Sequence, residues 1–276
     1  MRYLTLALLL TLQSFAQDFI PFSEKLTPEW QKKIKAAGVI YEKEYVVEKD
    51  IETNSNDYYV SSVYDTDGKL QSVSQKLRID DHPGDYTYTW NSDGKLAEIN
   101  FSWKSNDGSN AKQKYEFTYD EGKLRYIALY DIATGGSGAM RQWNYEYSPK
   151  GIVVKIEEKV FSSSESGEFS VVGSYEFDDK GRLSSYNTEF NKTTYSYNTN
   201  GKLDKKILEA SDVKITEKYD YDKAGNLVKI SNTGDAATIV VDIKYNASGL
   251  PILKKSLIKM YDLDDEIIEI NYSYSK

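Results

Sequence analysis

Apolar and polar residues alternate in short runs along most of the chain, and each run ends in a polar turn carrying a glycine. Tyr195-Ser196-Tyr197 shows the unit: the two rings share one face of an extended strand and the serine takes the other. Asn198-Thr199-Asn200-Gly201 follows, with the chemistry of a type I turn closed by a left-handed residue. Asn198 can accept hydrogen bonds from the backbone just beyond it, and glycine takes positive φ without steric cost. Lys202-Leu203 then starts the returning strand, after a bulge expected to turn Leu203 away from the two tyrosines.

The same phrase recurs around Gly68, Gly94, Gly122, Gly151, Gly181, Gly225 and Gly249, at intervals of 20 to 30 residues. Four residues ahead stands Tyr64, Trp90, Tyr147, Phe177, Tyr221 or Tyr245; at Gly122 the ring, Tyr119, is only three back, which predicts a shorter turn. Two residues beyond the glycine come Leu70, Leu96, Leu124, Val153, Leu183 and Leu227, and five beyond come Val73, Ile99, Ile127, Ile156, Tyr186 and Ile230. Periods of this length mark repeat architectures. The pattern predicts an all-β fold: an antiparallel β-hairpin repeat array of about eighteen strands, as an extended or spiralling meander over residues 39–276.

The remaining segments read differently. Thr27-Pro28-Glu29-Trp30 opens a short helix, with threonine as N-cap and proline in the first turn; Trp30, Ile34 and Ala37 share a stripe, and Gly38 ends it. Within 17–38 this helix is expected to cap the array, whose first repeat has no neighbour to cover it. Residues 1–16 have the form of a signal peptide: Arg2, an apolar run from Leu4 to Leu12, and Ser14-Phe15-Ala16 before the cut. The expected address is exported, periplasmic or secreted. No cysteine is present, which removes disulfides, thiol chemistry and a lipid-anchored cysteine.

Composition narrows the classes further. Hydrophobic residues make up 39% of the 276, but 24 are tyrosine, a large ring that can be buried with its hydroxyl wet. The net charge of −8 argues against nucleic acid as a partner. No apolar run later in the chain has the length of a membrane-spanning helix.

Tyr219-Asp220-Tyr221-Asp222-Lys223-Ala224-Gly225-Asn226-Leu227 resembles the core signature of YD repeats, the RHS family; 177–183 and 64–70 match nearly as well. The similarity spans roughly 58–250. It implies a long spiralling sheet, with carbohydrate binding as the function proposed for such repeats. The family's toxin-enclosing role is not implied, because this chain has too few repeats, no toxin domain and no self-cleaving segment.

Candidate chemistry is sparse. His82, the only histidine, sits with Asp80, Asp81 and Asp85, a grouping that could hold a metal or act as a base but is commonly a solvated loop. Asp262, Asp264, Asp265 and Glu266 offer oxygen ligands in no recognised calcium-loop spacing. No carboxylate pair is singled out for glycoside hydrolysis, and no cofactor or metal is expected. The aromatic rows offer the candidate ligand-binding residues Trp90, Trp103, Trp143, Tyr88 and Tyr145, which can stack on sugar rings if exposed or pack as core if not. The resulting expectation is an exported, non-enzymatic binding or scaffolding module for a glycan or a protein at the envelope or outside. The alternatives are a carboxylate-dependent glycoside hydrolase and an outer-membrane β-barrel.

Overall fold

The computed structural model describes residues 20–48, 59–76, 84–104, 108–132, 138–161, 168–234, 237–260 and 266–276. The leader at 1–16, His82 with Asp80 and Asp81, and Asp262, Asp264 and Asp265 lie outside the described residues. A 3-10 helix, Ser23–Leu26, precedes α1 (Pro28–Ala37). Strands β1 (Tyr41–Glu48), β2 (Tyr59–Tyr64), β3 (Leu70–Lys76), β4 (Gly84–Trp90), β5 (Leu96–Lys104) and β6 (Asn110–Asp120) come next. They are followed by β7 (Lys123–Asp131), β8 (Ala139–Tyr147), β9 (Val153–Phe161), β10 (Phe169–Phe177), β11 (Leu183–Thr188) and β12 (Asn191–Tyr197). The last are β13 (Leu203–Ala210), β14 (Val213–Tyr221), β15 (Leu227–Thr233), β16 (Ala237–Tyr245), β17 (Pro251–Met260) and β18 (Glu266–Ser275).

These strands form one antiparallel meander, and β1 pairs with both β2 and β18. The ladder therefore closes into an 18-strand β-barrel with no free edge. The described residues group into two compact units, one within 1–83, 197–205 and 215–276, the other within 84–196 and 206–214.

The glycine turns form as their sequence predicts. Gly68 N donates to Asp65 O at 3.0 Å, and Asp65 Oδ1 accepts from the backbone N of Asp67 and of Lys69, both at 2.9 Å. Asn91, Asp178, Asn198 and Asn246 repeat the arrangement. At Gly122 the shorter turn is made by Glu121 and Gly122, at φ 46° and 78°, the doubly left-handed form that a two-residue hairpin uses.

One detail corrects the sequence reading: the leucine after the glycine does not face away from the ring. Register slips by one residue beside Tyr64, so Val63 opposes Ser72 while Tyr64 opposes Leu70, and Gln71 is the extra residue. Tyr64 and Leu70 are both buried on the same face. That bulge explains why the apolar residues sit two and five beyond each glycine, a spacing of three that a regular strand cannot bury on one side.

Neighbouring hairpins are also locked together. Tyr119 OH donates to Leu96 O, Tyr147 OH to Leu124 O, Tyr221 OH to Leu203 O and Tyr245 OH to Leu227 O, at 2.7–2.9 Å. The lysine after the glycine reaches the next hairpin: Lys95 Nζ lies 5.3 Å from the Tyr119 ring centroid and donates to Gly122 O at 2.8 Å. Lys123 over Tyr147 and Lys202 over Tyr221 repeat the ring contact.

The two faces of the sheet differ sharply. In β4, Tyr86 and Tyr88 are buried, whereas Asp85, Thr87 and Thr89 are exposed. Lys112, Glu146, Glu176, Lys218, Asp220, Asp242, Lys244 and Lys255 are likewise exposed, and Lys218, Asp242 and Lys255 lie well inside their strands. In a closed sheet the buried face is the enclosed one, so these charges point outward.

Candidate functional site

The rings proposed from the sequence as a ligand surface are largely core. Trp143, Tyr88 and Tyr145 are buried; Trp90 and Trp103 are half-buried. Tyr86 stacks on Phe101 at 4.1 Å between centroids, Phe101 on Trp103 at 4.6 Å, and Tyr115 on Trp143 at 6.4 Å. Trp103 and Trp143 thus spend a ring face on a neighbouring ring, which is how aromatic pairs stabilise a sheet.

The structure assembles a different site from residues that the repeat pattern does not mark. All of it lies in the unit containing β1–β3 and β15–β18. Alternation along β1 puts Glu42 and Glu44 on the buried face with Tyr41, Lys43 and Tyr45 on the other. The same parity along β17 puts Lys254 in the buried row with Ser256 and Ile258. A polar side chain has no obvious place there, and the N-terminal segment resolves this by inserting Lys25 from the 3-10 helix.

Lys25 is 3% exposed, and its Nζ donates to Glu42 Oε2 at 2.7 Å, Glu44 Oε1 at 2.6 Å and Ser62 Oγ at 3.0 Å. Tyr64 OH donates to Glu42 Oε2 at 2.5 Å and accepts from Trp30 Nε1 at 3.1 Å. Glu42, 0% exposed, keeps its second oxygen, Oε1, buried with no hydrogen-bond partner among the described residues. An orphaned carboxylate oxygen is costly, and it marks where a donor would be welcome.

α1 holds that segment down. Thr27 Oγ1 accepts from Trp30 N at 3.3 Å as the N-cap, and Gly38 stops the helix at φ 63°, both as the sequence indicates. The helix lies on the glycine-turn edge rather than flanking a first repeat, since closure leaves no flank. Lys33 Nζ donates to Gly249 O at 3.0 Å, Lys35 pairs with Asp67 at 2.9 Å, and Ile34 is fully buried.

Beneath this stopper lies a cavity of about 160 Å³. Leu227, Ile230, Ile243 and Pro251 supply apolar wall; Glu24, Lys25, Glu42, Glu44 and Lys254 supply charge. Burial opposes the charge on Lys25, but Glu42 and Glu44 hold its ammonium well above the usual lysine range. Burial raises the Glu42 carboxyl against the pull of Lys25 and lifts Glu24 to about 7, again against Lys25. Burial lowers Lys254 to about 8, with Glu44 and Glu24 opposing.

The Glu24 shift has a testable sign. Its folded-state value lies above the ordinary 4.5, so the folded chain holds the proton longer, and stability falls as pH rises from about 4.5 to 7. Glu24 is partly accessible to solvent, so the expected loss is about 1–2 kcal/mol, or a few °C of unfolding midpoint. Glu24→Gln should flatten that part of the pH–midpoint curve measured by circular dichroism; an unchanged slope would place the dependence elsewhere.

No family model and no curated protein matches the chain. Among solved structures, a porin-like protein from Bacteroides uniformis ATCC 8492 aligns with 9% identity and TM-score 0.37, and one from Bacteroides vulgatus ATCC 8482 with 14% and 0.38; each alignment covers 86% of this chain and 98% of the other. Scores this low carry no argument about function, which rests here on the strand ladder and its faces.

The ladder corrects the functional expectation. The expected array is an extended or spiralling sheet presenting its variable-edge loops or an aromatic face; β1 instead closes on β18, and Tyr88, Trp143 and Tyr145 of the proposed face are buried. The architecture is instead that of the barrel alternative. Among the described residues no helix is long and apolar enough to cross a membrane, which says nothing of strands.

Proposed function

We propose that this chain is an exported, water-facing β-barrel of the cell envelope that holds a small molecule beneath its N-terminal stopper, without turnover. The carrying observation is the 160 Å³ cavity, apolar on one side and bordered on the other by Glu42, one of whose carboxylate oxygens is buried without a hydrogen-bond partner among the described residues. An apolar cavity of about 150 Å³ holds a benzene ring, so the size fits one ring or a chain of similar bulk. A hydroxyl or amine on that ligand would satisfy Glu42 Oε1, which selects a donor-bearing ligand over a plain hydrocarbon.

Water rather than lipid on the outside follows from the exposed charges. A lysine on the lipid face near mid-membrane costs about 2–4 kcal/mol, and Lys218 and Lys255, near the middle of β14 and β17, point outward. Two measurements test the reading. The mature chain should stay monodisperse without detergent; recovery only in detergent, with the outer-membrane fraction, would favour the membrane-spanning form. Calorimetric titration with benzyl alcohol should show one saturable site, lost in Ile243→Trp, where the indole fills the cavity. Absence of binding by the folded wild type would reject the carrier reading.

A further inference from the structure

Phe190 is 77% exposed, the highest value among the large apolar side chains described. It stands in the turn joining β11 to β12, and Thr188 Oγ1 braces that turn by accepting from Phe190 N at 3.2 Å and Asn191 N at 3.1 Å. The ring is therefore held out by an ordered turn. At the neighbouring hairpin Phe161 and Phe169 oppose each other across β9 and β10, with ring centroids 5.6 Å apart, and both are exposed. Val171 and Val172 follow, at 57% and 42% exposure. Consecutive residues of a regular strand point to opposite faces, but the register slips here: Val171 opposes Lys159, Gly173 opposes Glu158, and Val172 is the extra residue. The bulge thus keeps in solvent two apolar side chains that regular pairing would separate. Val213, also exposed, opens β14 just after Ser211 at φ 49°.

All of these belong to the unit of 84–196 and 206–214 and stand at its edge away from the glycine turns, as do the exposed Ile132 and Met140. Of the exposed large apolar side chains described in that unit, only Val154 lies near the glycine edge. Single exposed apolar residues are ordinary; a fringe of them confined to one edge marks a contact surface. The tips come from consecutive strands, and β9 to β14 cover roughly 24 Å at the usual strand spacing. That is a broad row of separate projections, suited to a deformable surface. Charge narrows the choice of surface. Glu168, Glu189 and Asp212 each directly precede an apolar tip, Lys192 and Lys214 follow two of them, and all five are exposed. A polyanion or an anionic membrane selects for lysine alone. Neither sign dominates here, which is complementary to a headgroup carrying phosphate beside ammonium.

We propose that this fringe docks the barrel on a zwitterionic phospholipid surface. Phe161, Phe169, Val171, Phe190 and Val213 enter the boundary between headgroups and acyl chains, while the charged outer faces of the strands stay in water. The contact is peripheral and reversible. Cavity and fringe lie in different units, so docking does not depend on the carrier reading, and either can fail without the other.

Flotation of the full mature chain with vesicles of phosphatidylcholine and phosphatidylethanolamine in equal parts tests it. The expected result is co-flotation that persists in high salt, because apolar insertion is not screened. Phe190→Ser combined with Val171→Ser should weaken vesicle binding by about tenfold or more. The melt should not change, since both side chains are already in solvent. Val154→Ser, on the opposite edge of the same unit, should leave binding as it is. A wild-type chain that stays in the soluble fraction, or flotation that the double variant leaves intact, would overturn the proposal. So would binding only to vesicles containing phosphatidylglycerol, which would make the contact electrostatic. Dimers formed without vesicles and dispersed by the double variant would make the fringe an interface between copies instead. Bound chain that resists an alkaline carbonate wash would mean that the strands span the bilayer, against both peripheral docking and a water-facing barrel. Benzyl alcohol binding without flotation rejects the docking alone, and flotation without benzyl alcohol binding rejects the carrier reading alone.

Discussion

Lys25→Met is expected to lower the unfolding midpoint by roughly 6–20 °C, the largest single-residue effect among the charged positions. The methionine fills nearly the same volume, so the loss is electrostatic rather than steric. Lys25 is the cation between Glu42 and Glu44, and Glu42 is 0% exposed. Removing it leaves two carboxylates close together with water largely excluded, which costs about 3–5 kcal/mol for a buried pair broken on one side. Two further outcomes follow. The deficit should shrink near pH 4, where the orphaned carboxyls protonate. Lys25→Met combined with Glu42→Gln should recover part of the midpoint, because the residual charge is gone, and the two substitutions should be clearly non-additive. Thermal melts by circular dichroism, with Trp30 fluorescence reporting the stopper, decide it. A melt unchanged by Lys25→Met would mean that the cluster is not seated as described.

The turns and the repeat were legible because their chemistry is local. Asp65, Asn91, Asp178, Asn198 and Asn246 accept from backbone groups two and four residues on, and no distant part of the chain is needed to recognise that. The spacing from Leu70 to Val73 also held the bulge in plain view, although the register slip beside Tyr64 was needed to interpret it. Closure was not legible. It depends on Glu42 meeting Tyr274 across β1 and β18, a pairing 232 residues apart for which alternating strands give no address. The site was half legible: Lys254 sits in a buried row with Ser256 and Ile258, a mismatch that is a signal, whereas Glu42 and Glu44 alternate with Tyr41 and Tyr45 as a solvent-facing row would. Lys25, which answers it, sits in a segment with no period to break.

The recurring lysine illustrates how one residue can be read two ways. Beside a turn glycine it looks like ordinary surface charge. Lys95 and Lys202 instead cover the next hairpin's tyrosine and donate to the next glycine's carbonyl, at Gly122 and Gly225. The hairpins turning at Gly94 and Gly201 are therefore tied to their successors by a tyrosine hydroxyl running one way and a lysine ammonium running the other. Such ties are weak singly, since exposed cation–ring contacts contribute about 0.5–1 kcal/mol, but they recur along the meander and set the stagger of one hairpin on the next. The cavity proposed as the binding site lies where the pattern stops, at the stopper on the turn edge.

Gly68→Ala should lose at least twice the stability of Gly122→Ala, even though both glycines have φ of 78°. The backbone cost is common to the two, about 1–2 kcal/mol for a non-glycine residue in the left-handed region. The surroundings differ. A Cβ on Gly122 would meet only Lys95 Nζ at 3.2 Å, the far end of a flexible side chain. A Cβ on Gly68 would collide with the backbone carbonyl oxygen of Gln31 and lie 3.1 Å from Lys35 N, so α1 itself must move. Moving α1 exposes Ile34 and loosens the Trp30–Tyr64 and Lys35–Asp67 contacts, adding about 2–3 kcal/mol for the isoleucine alone. Asparagine separates the two causes, because it tolerates positive φ but still carries a Cβ. Gly122→Asn should therefore melt close to wild type, whereas Gly68→Asn should recover only the backbone share of the loss, stay well below wild type and show a red-shifted Trp30 emission. If Gly68→Asn were restored as fully as Gly122→Asn, the helix would not be packed on that turn.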